Sequence, residues 1–526
     1  MLNFKHPLSL IFKLKDMKKI TLLYISGILL GSLTACTKDF EEINSNPNAV
    51  EKPNTNFIFS RAQLDGLANN YFFTNILECG GILQHYATYK EVSGVGDKYL
   101  DGEKYYSGYF NQAYPTALNE TEIVINAVKD TPNDSNKLNI ARIWKVFLYH
   151  KITDLYGSIP YSQAVQAYTT NLFLPKYDSQ EFIYKDLLKE LDEAATALDP
   201  AKPSFGTADF IYQGNVAKWK KFSYSLMLRL GLRLTKVDPA LSKTWVTKAI
   251  AGGVIVNGAD NAIMNYSDGP NNFNRNPVAF DSRTGDYANG SYGQTNTEGG
   301  KLAKTFIDLL KTTADPRISV YAGVWQGTVQ NTNPAVQKGF PNGTTTALAP
   351  LEQATYSEPN QNTILRFDAP LVLISNAETN LYLAEAAARG WYTAETDKDL
   401  YEKGVKASFL NMGIYGTSYA ITDATPYLTA NPYNAAGNFE AKMNQIHTQI
   451  YVALFVDEQE IYANWRRTGY PVLTPVNFPG NVTNGTIPRR LRYPTSEYSV
   501  NTINLAEAVK QQGPDTFTTR IWWDKQ

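Results

Sequence analysis

A chain of 526 residues with a formal net charge of −1 presents no basic field of the kind that draws nucleic acid or an anionic membrane surface. At about 150 residues per domain the length allows roughly three domains. Two cysteines, one of them spent on lipidation as argued below, exclude an internal disulfide despite export.

In chain order, Lys18 and Lys19 precede Ile20 to Thr34, which are almost wholly apolar or small. This run of about 15 residues is short of the roughly 20 that span a membrane and fits the apolar core of a secretory signal. Leu33-Thr34-Ala35-Cys36 follows as a lipobox, so Cys36 is expected to be acylated and to anchor the chain. Met17 starts that signal cleanly, which leaves residues 1–16 as an extended basic region or an upstream start codon. Residues 1–35 are therefore read as a signal, 36–56 as a flexible tether, and 57–526 as one folded domain.

That domain reads as mainly α. "NIARIWKVFLYHKITDLYGSIP" predicts a helix with Gly157 suited to a left-handed cap and Pro160 just beyond. "DSQEFIYKDLLKELDEAATALDP" sets Asp178 and Glu181 at capping-box spacing. It then aligns Ile183, Leu187, Leu191, Ala194 and Leu198 on one stripe. "ISNAETNLYLAEAAARGW" places Ile374, Ala377, Leu381, Ala384 and Ala388 on one face. Its alanines permit close approach of "YEKGVKASFLNMGI", expected to return beside it. Such pairs resemble tetratricopeptide units without their strict period. "IYVALFVDEQEIYANWRRTGYP" reads as a single helix. Loop-rich stretches near 252–300, 322–370 and 469–502 interrupt the pattern; the first is dense in Asn and Gly, and its aromatic residues lead us to expect it to be ordered.

Chemistry is sparse. His6, His85, His150 and His447 are scattered with no metal-ligand spacing, and no nucleophile elbow or phosphate loop appears. No metal, cofactor or catalytic residue is therefore assigned. Asp457, Glu458 and Glu460 invite comparison with glycosidase carboxylates, but they share a helix with Arg466 and Arg467, which favours an ion-paired face. Aromatic residues make up 13% of the chain, with 34 Tyr and 8 Trp, and such rings suit both cores and binding surfaces. A sugar ring stacks on flat side chains while its hydroxyls pair with Asn, Asp and Arg. On that chemistry Tyr86, Tyr89, Phe273, Asn274, Tyr287 and Trp325 are the candidate ligand contacts.

The lipobox with "CTKDFEEINSNPN", "DLYGSIP", "TADPRISVY", "ISNAETNLYLAEAAARGW", "ALFVDEQEIYANWRRTGYP", "IPRRLRYPTSEYSVN" and "TRIWWDKQ", in that order, resemble the SusD/RagB glycan-binding lipoproteins of the outer membrane. The likeness runs over nearly the whole mature chain. It implies a tetratricopeptide-like helix-pair superhelix supporting a loop-rich second half. It also implies a non-enzymatic lid on a SusC-like TonB-dependent transporter, with an oligosaccharide as ligand and the protein facing the cell exterior. Phe40 between Lys38-Asp39 and Glu41-Glu42 departs from the acidic export signal of that family. Two other functions stay open to the sequence: an exported glycoside hydrolase, and a helical scaffold that binds a protein or peptide.

Overall fold

The computed structural model describes residues 54–68, 71–90, 95–288, 290–291, 299–344 and 349–525; Cys36, the signal and most of the tether lie outside them. Helices dominate. The first half runs through α1 (Thr55–Ala68), α2 (Glu103–Ala113), α3 (Asn119–Val128), α4 (Ser135–Tyr156), α5 (Gln180–Ala197), α6 (Val216–Arg233) and α7 (Pro239–Gly252). The second half adds α8 (Lys304–Thr312), α9 (Asn376–Ala388), α10 (Asp397–Asn411), α11 (Phe439–Ala453), α12 (Glu458–Thr468) and α13 (Thr502–Gln512). Neighbours in sequence pack as neighbours in space: α3 on α4, α4 on α5, α5 on α6, α6 on α7, and α9 on α10. The apolar stripes predict these helices, and their arrangement is the helix-pair superhelix that the family resemblance implies.

Local chemistry explains the boundaries. In α5 the residues Ile183, Leu187, Leu191 and Ala194 are all fully buried, as the 3.6-residue period requires. Its cap is Ser179 and not Asp178: the Ser179 hydroxyl accepts the Phe182 N–H at 3.3 Å, while the Asp178 carboxylate accepts the Ser162 N–H at 2.7 Å. Helix α4 ends at Gly157 with φ +85°, a conformation in which a β-carbon is strained. Helix α9 closes with the Gly390 N–H donating to Ala387 and the Trp391 N–H to Ala386, both at 2.9 Å. That is the two-bond terminus glycine allows.

The expected single helix around residues 449–470 is two. Helix α11 stops at Ala453 and α12 starts at Glu458, because Val456 turns to φ +94°. The turn is fixed from outside the segment: the Asn75 side chain donates to the Val456 carbonyl at 2.5 Å. The Val456 N–H also donates to the Glu458 carboxylate, at 3.1 Å.

Short strands lie in and beside the loop-rich stretches. They are β1 (Tyr86–Thr88), β2 (Ala262–Met264), β3 (Gly300–Leu302), β4 (Ala322–Gln326), β5 (Val329–Asn331), β6 (Glu358–Pro359) and β7 (Leu371–Ile374). Strand β1 pairs antiparallel with β3, setting Ala87 opposite Lys301. Strand β2 pairs with β7, and β4 lies between β5 and β6. One continuous apolar core joins helices and strands. Its buried indoles each find a hydrogen-bond acceptor, as amphipathic rings must: Trp219 on Asp209 at 2.6 Å and Trp523 on Asp154 at 3.0 Å.

Candidate carbohydrate site

The carboxylates of α12 are committed elsewhere. Asp457 meets Lys151 of α4 at 2.9 Å, and Glu458 meets His85 Nδ1 at 2.7 Å. Glu460 meets Arg233 at 2.5 Å and Arg229 at 3.6 Å, both from α6. Arg229 also holds Glu378 of α9 at 2.7 Å. Burial pushes the Glu460 carboxyl up, but Arg233 and Arg229 outweigh it and hold it at about 2. A glycosidase needs two carboxyls flanking substrate in a cleft. Asp457 and Glu460 are buried and paired with cations, and Glu458 is buried against His85, so they fasten α12 to α4, α6 and the segment around His85. The helix face is salt-bridged, and it is not solvated.

Four of the six candidate contacts lie around β1 and Glu358 of β6. Glu358 is fully buried and pairs with Lys301 of β3. It accepts the Trp325 indole N–H at 3.0 Å and the Ala288 N–H, next to Tyr287, at 3.2 Å. Tyr89, just past β1, donates its hydroxyl to Gln353 at 2.8 Å and packs against Phe340 at 6.3 Å between ring centroids. Burial, then the Glu358 charge, raises the Tyr89 phenol to about 12. Tyr86 stacks on Phe455 at 5.4 Å. All four rings are buried: Tyr86 is 3%, Tyr89 8%, Tyr287 1% and Trp325 6% exposed. They tie strands and loops together before they offer any face to solvent.

Phe273 and Asn274 belong to another neighbourhood. They sit on a one-turn helix, Asn272–Asn274, whose N-cap Asn271 accepts the Phe273 N–H. Phe273 is 74% exposed, and its nearest guanidinium, Arg61 of α1, lies 5.9 Å from the ring centroid. Asn274 accepts the Ser267 N–H through its backbone carbonyl at 2.9 Å.

Beside β1 opens a polar cavity of about 470 Å³ whose walls include Gln84, Thr305, Asn342, Thr474 and Asn477. Gln84, at φ +60°, bonds through both ends of its amide. Its oxygen accepts the Thr305 hydroxyl at 2.7 Å and its nitrogen donates to the Thr474 carbonyl at 2.6 Å. Asn342 donates to the Tyr86 carbonyl at 2.9 Å, while its buried Oδ1 has no partner among the described residues. Gln84 and Thr305 carry no motif, and Asn342 stands out in the sequence only as an Asn-x-Thr triplet that says nothing of a cavity. Among the described residues no group of three or more His, Cys, Asp or Glu could hold a metal ion. No described helix is long and apolar enough to cross a membrane.

The fold has solved relatives. A chitin-binding protein superposes with a TM-score of 0.78 at 29% identity, covering 90% of this chain and 100% of its own. A chitin-binding SusD homolog from Flavobacterium johnsoniae gives 0.73 at 27% identity, with 90% and 98% covered. A SusD homolog from Bacteroides uniformis gives 0.75 at 26% identity, with 89% and 99% covered. A search of curated protein sequences gave no significant match. A SusD-like family model, described as starch-binding and associating with the outer membrane, matches residues 47–494, and the chain belongs to that family.

Proposed function

We propose that this protein is a non-enzymatic outer-membrane lipoprotein that captures an oligosaccharide in its loop-rich half and passes it to a SusC-like TonB-dependent transporter. Acylated Cys36 anchors it, and the folded domain faces the cell exterior. The family match across residues 47–494 carries this reading, and the two chitin-binding relatives name the first sugar to test. The hydroxyl-pairing cavity around Gln84, Thr305 and Asn342 supports it, as does the commitment of the α12 carboxylates to buried cations. Tyr89, Phe273, Asn274 and Trp325 stay within the proposal as rings and amides beside or beyond that cavity, with Tyr86 and Tyr287 acting from underneath.

Titration with chitohexaose tests the binding. Saturable binding without release of shorter sugars is expected, and Asn342→Leu is expected to weaken it about tenfold by deleting one hydrogen-bond pair. No binding to chitin- or starch-derived oligosaccharides overturns the glycan reading. The anchor is tested by Cys36→Ala, expected to leave the protein soluble after membrane fractionation. A transporter of barrel size should co-purify from mild detergent, and its absence removes the delivery role.

A further inference from the structure

A groove of about 400 Å³ opens between the end of α2, the residues just after α4 and the segment that leads into α13; Phe110, Tyr114, Pro160, Leu172 and Val500 are among its walls. Its polar side chains are largely spent inside the protein. The Tyr114 hydroxyl donates to the Pro160 carbonyl at 2.8 Å, and the Gln166 amide to the Ser162 carbonyl at 2.9 Å. The Asn501 amide donates to the Pro175 carbonyl at 2.8 Å. What the groove offers is ring faces and aliphatic carbon, with Phe110 and Tyr114 packed at 5.0 Å between centroids along one wall.

The rim is apolar as well. Phe173 is 70%, Leu174 50%, Val500 63% and Ile503 81% exposed. Two asparagines gather these residues: Asn501 holds Pro175, and Asn504 donates to the Leu174 carbonyl at 3.1 Å. Single apolar side chains are ordinary on a surface, but a contiguous cluster rimmed by polar residues marks an interaction site. A pocket beside such a cluster is where a protein partner seats an anchoring side chain.

Charge narrows the occupant. Glu497 lines the groove with one oxygen on the Tyr177 hydroxyl at 2.6 Å, and no described lining residue is basic. Lys176, the residue after Pro175, is paired with Asp178 at 3.4 Å. An anionic lipid surface is drawn to clusters of Lys and Arg, which this groove lacks. A protein segment with an apolar anchor beside a Lys or Arg matches both the carbon walls and the carboxylate. The 17 residues from 37 to 53 span at most about 60 Å, so a domain anchored through Cys36 meets partners seated in the same membrane.

We propose that this groove and its rim dock the transporter, which lays an apolar segment on Phe173, Val500 and Ile503 and sets a flanking cation on Glu497. The assignment rests on the delivery role proposed above. Purification of the full chain from its own outer membrane in mild detergent tests it, and wild type is expected to bring down a transporter of barrel size. Val500→Asp combined with Ile503→Asp changes only exposed side chains, so the melting temperature should hold while the recovered transporter falls at least about tenfold. Glu497→Lys should lower recovery as well. Val472→Asp, at a position 78% exposed in another loop, should not. p-Benzoylphenylalanine in place of Ile503 should crosslink to the transporter when cells are irradiated; an adduct with a second copy of the chain, or with lipid, overturns the proposal. Full recovery by the Val500→Asp, Ile503→Asp variant also overturns it and leaves the delivery role standing. No recovery by wild type removes the delivery role and this surface with it.

Discussion

Gly404 of α10 lies directly against Leu381 of α9: a β-carbon at position 404 would stand 2.6 Å from the leucine Cγ and 3.2 Å from the Ala377 carbonyl oxygen. The alanine-rich face of α9 thus works with a glycine opposite, and the two helices meet almost backbone to backbone. Gly404→Val is expected to destabilise the fold by about 1–3 kcal/mol through overpacking. Urea denaturation measures it, and an unchanged midpoint would mean that the pair can separate without loss.

Glu460 sits between Arg233 and Arg229 with 1% of its side chain exposed. Glu460→Ala leaves both guanidiniums without that carboxylate, a change that typically costs about 3–5 kcal/mol. The same pair sets a pH dependence. The folded carboxyl titrates at about 2, below the ordinary glutamate 4.5. Its contribution is therefore full above the unfolded value and is lost as pH falls from about 4.5 to about 2. Stability profiles of wild type and variant should converge over that interval. If Glu460→Ala instead keeps its full stability while oligosaccharide turnover is abolished, α12 is catalytic after all.

Glu78 titrates in the opposite sense. Burial, and then the charge of Asp101, raise its carboxyl from 4.5 to about 8, and its Oε2 has no partner among the described residues. The folded state therefore holds a proton that the unfolded state releases, and stability falls as pH rises from about 4.5 to about 8. Glu78→Gln keeps the shape without the charge. At pH 8 it should be more stable than wild type by at least about 2 kcal/mol, with the gap closing below pH 5. Thermal melts at the two pH values read this directly.

The sequence made the helices legible where one face repeats. Ile183, Leu187, Leu191 and Ala194 announce α5 because burial follows a local period. The break before α12 was not legible, since "IYVALFVDEQEIY" continues an apolar pattern with neither Gly nor Pro. It depends on Asn75, nearly the length of the chain away, which fixes the Val456 carbonyl. The candidate site divides the same way. Composition pointed to aromatic rings in loops, and Tyr89, Tyr287 and Trp325 do lie near Glu358 while Tyr86 packs on Phe455. Their burial depends on strand pairings between distant segments, such as Ala87 with Lys301 and Gly323 with Glu358. No local pattern encodes those pairings, and none marks Gln84 or Asn342 as lining a cavity.

Among the six residues chosen for ligand contact, Phe273 gives the cleanest test. Tyr86, Tyr89, Tyr287 and Trp325 are buried, so alanine at any of them risks a core defect of about 3–5 kcal/mol. A loss of binding there would not separate contact from folding. Phe273 is 74% exposed, and its turn is held by the Asn271 side chain and by the Asn271 and Asn274 backbone carbonyls, not by its ring. Phe273→Ala should therefore leave stability within about 0.5 kcal/mol of wild type. If the ring is a stacking platform, the variant should bind chitohexaose about fivefold to a hundredfold more weakly, taking base–aromatic stacking of roughly 1–3 kcal/mol as the upper guide. Calorimetry on the intact, folded variant decides it. An unchanged Kd removes Phe273 from the site and leaves the recognition to the hydroxyl-pairing groups beside β1, where Asn342→Leu must then account for it.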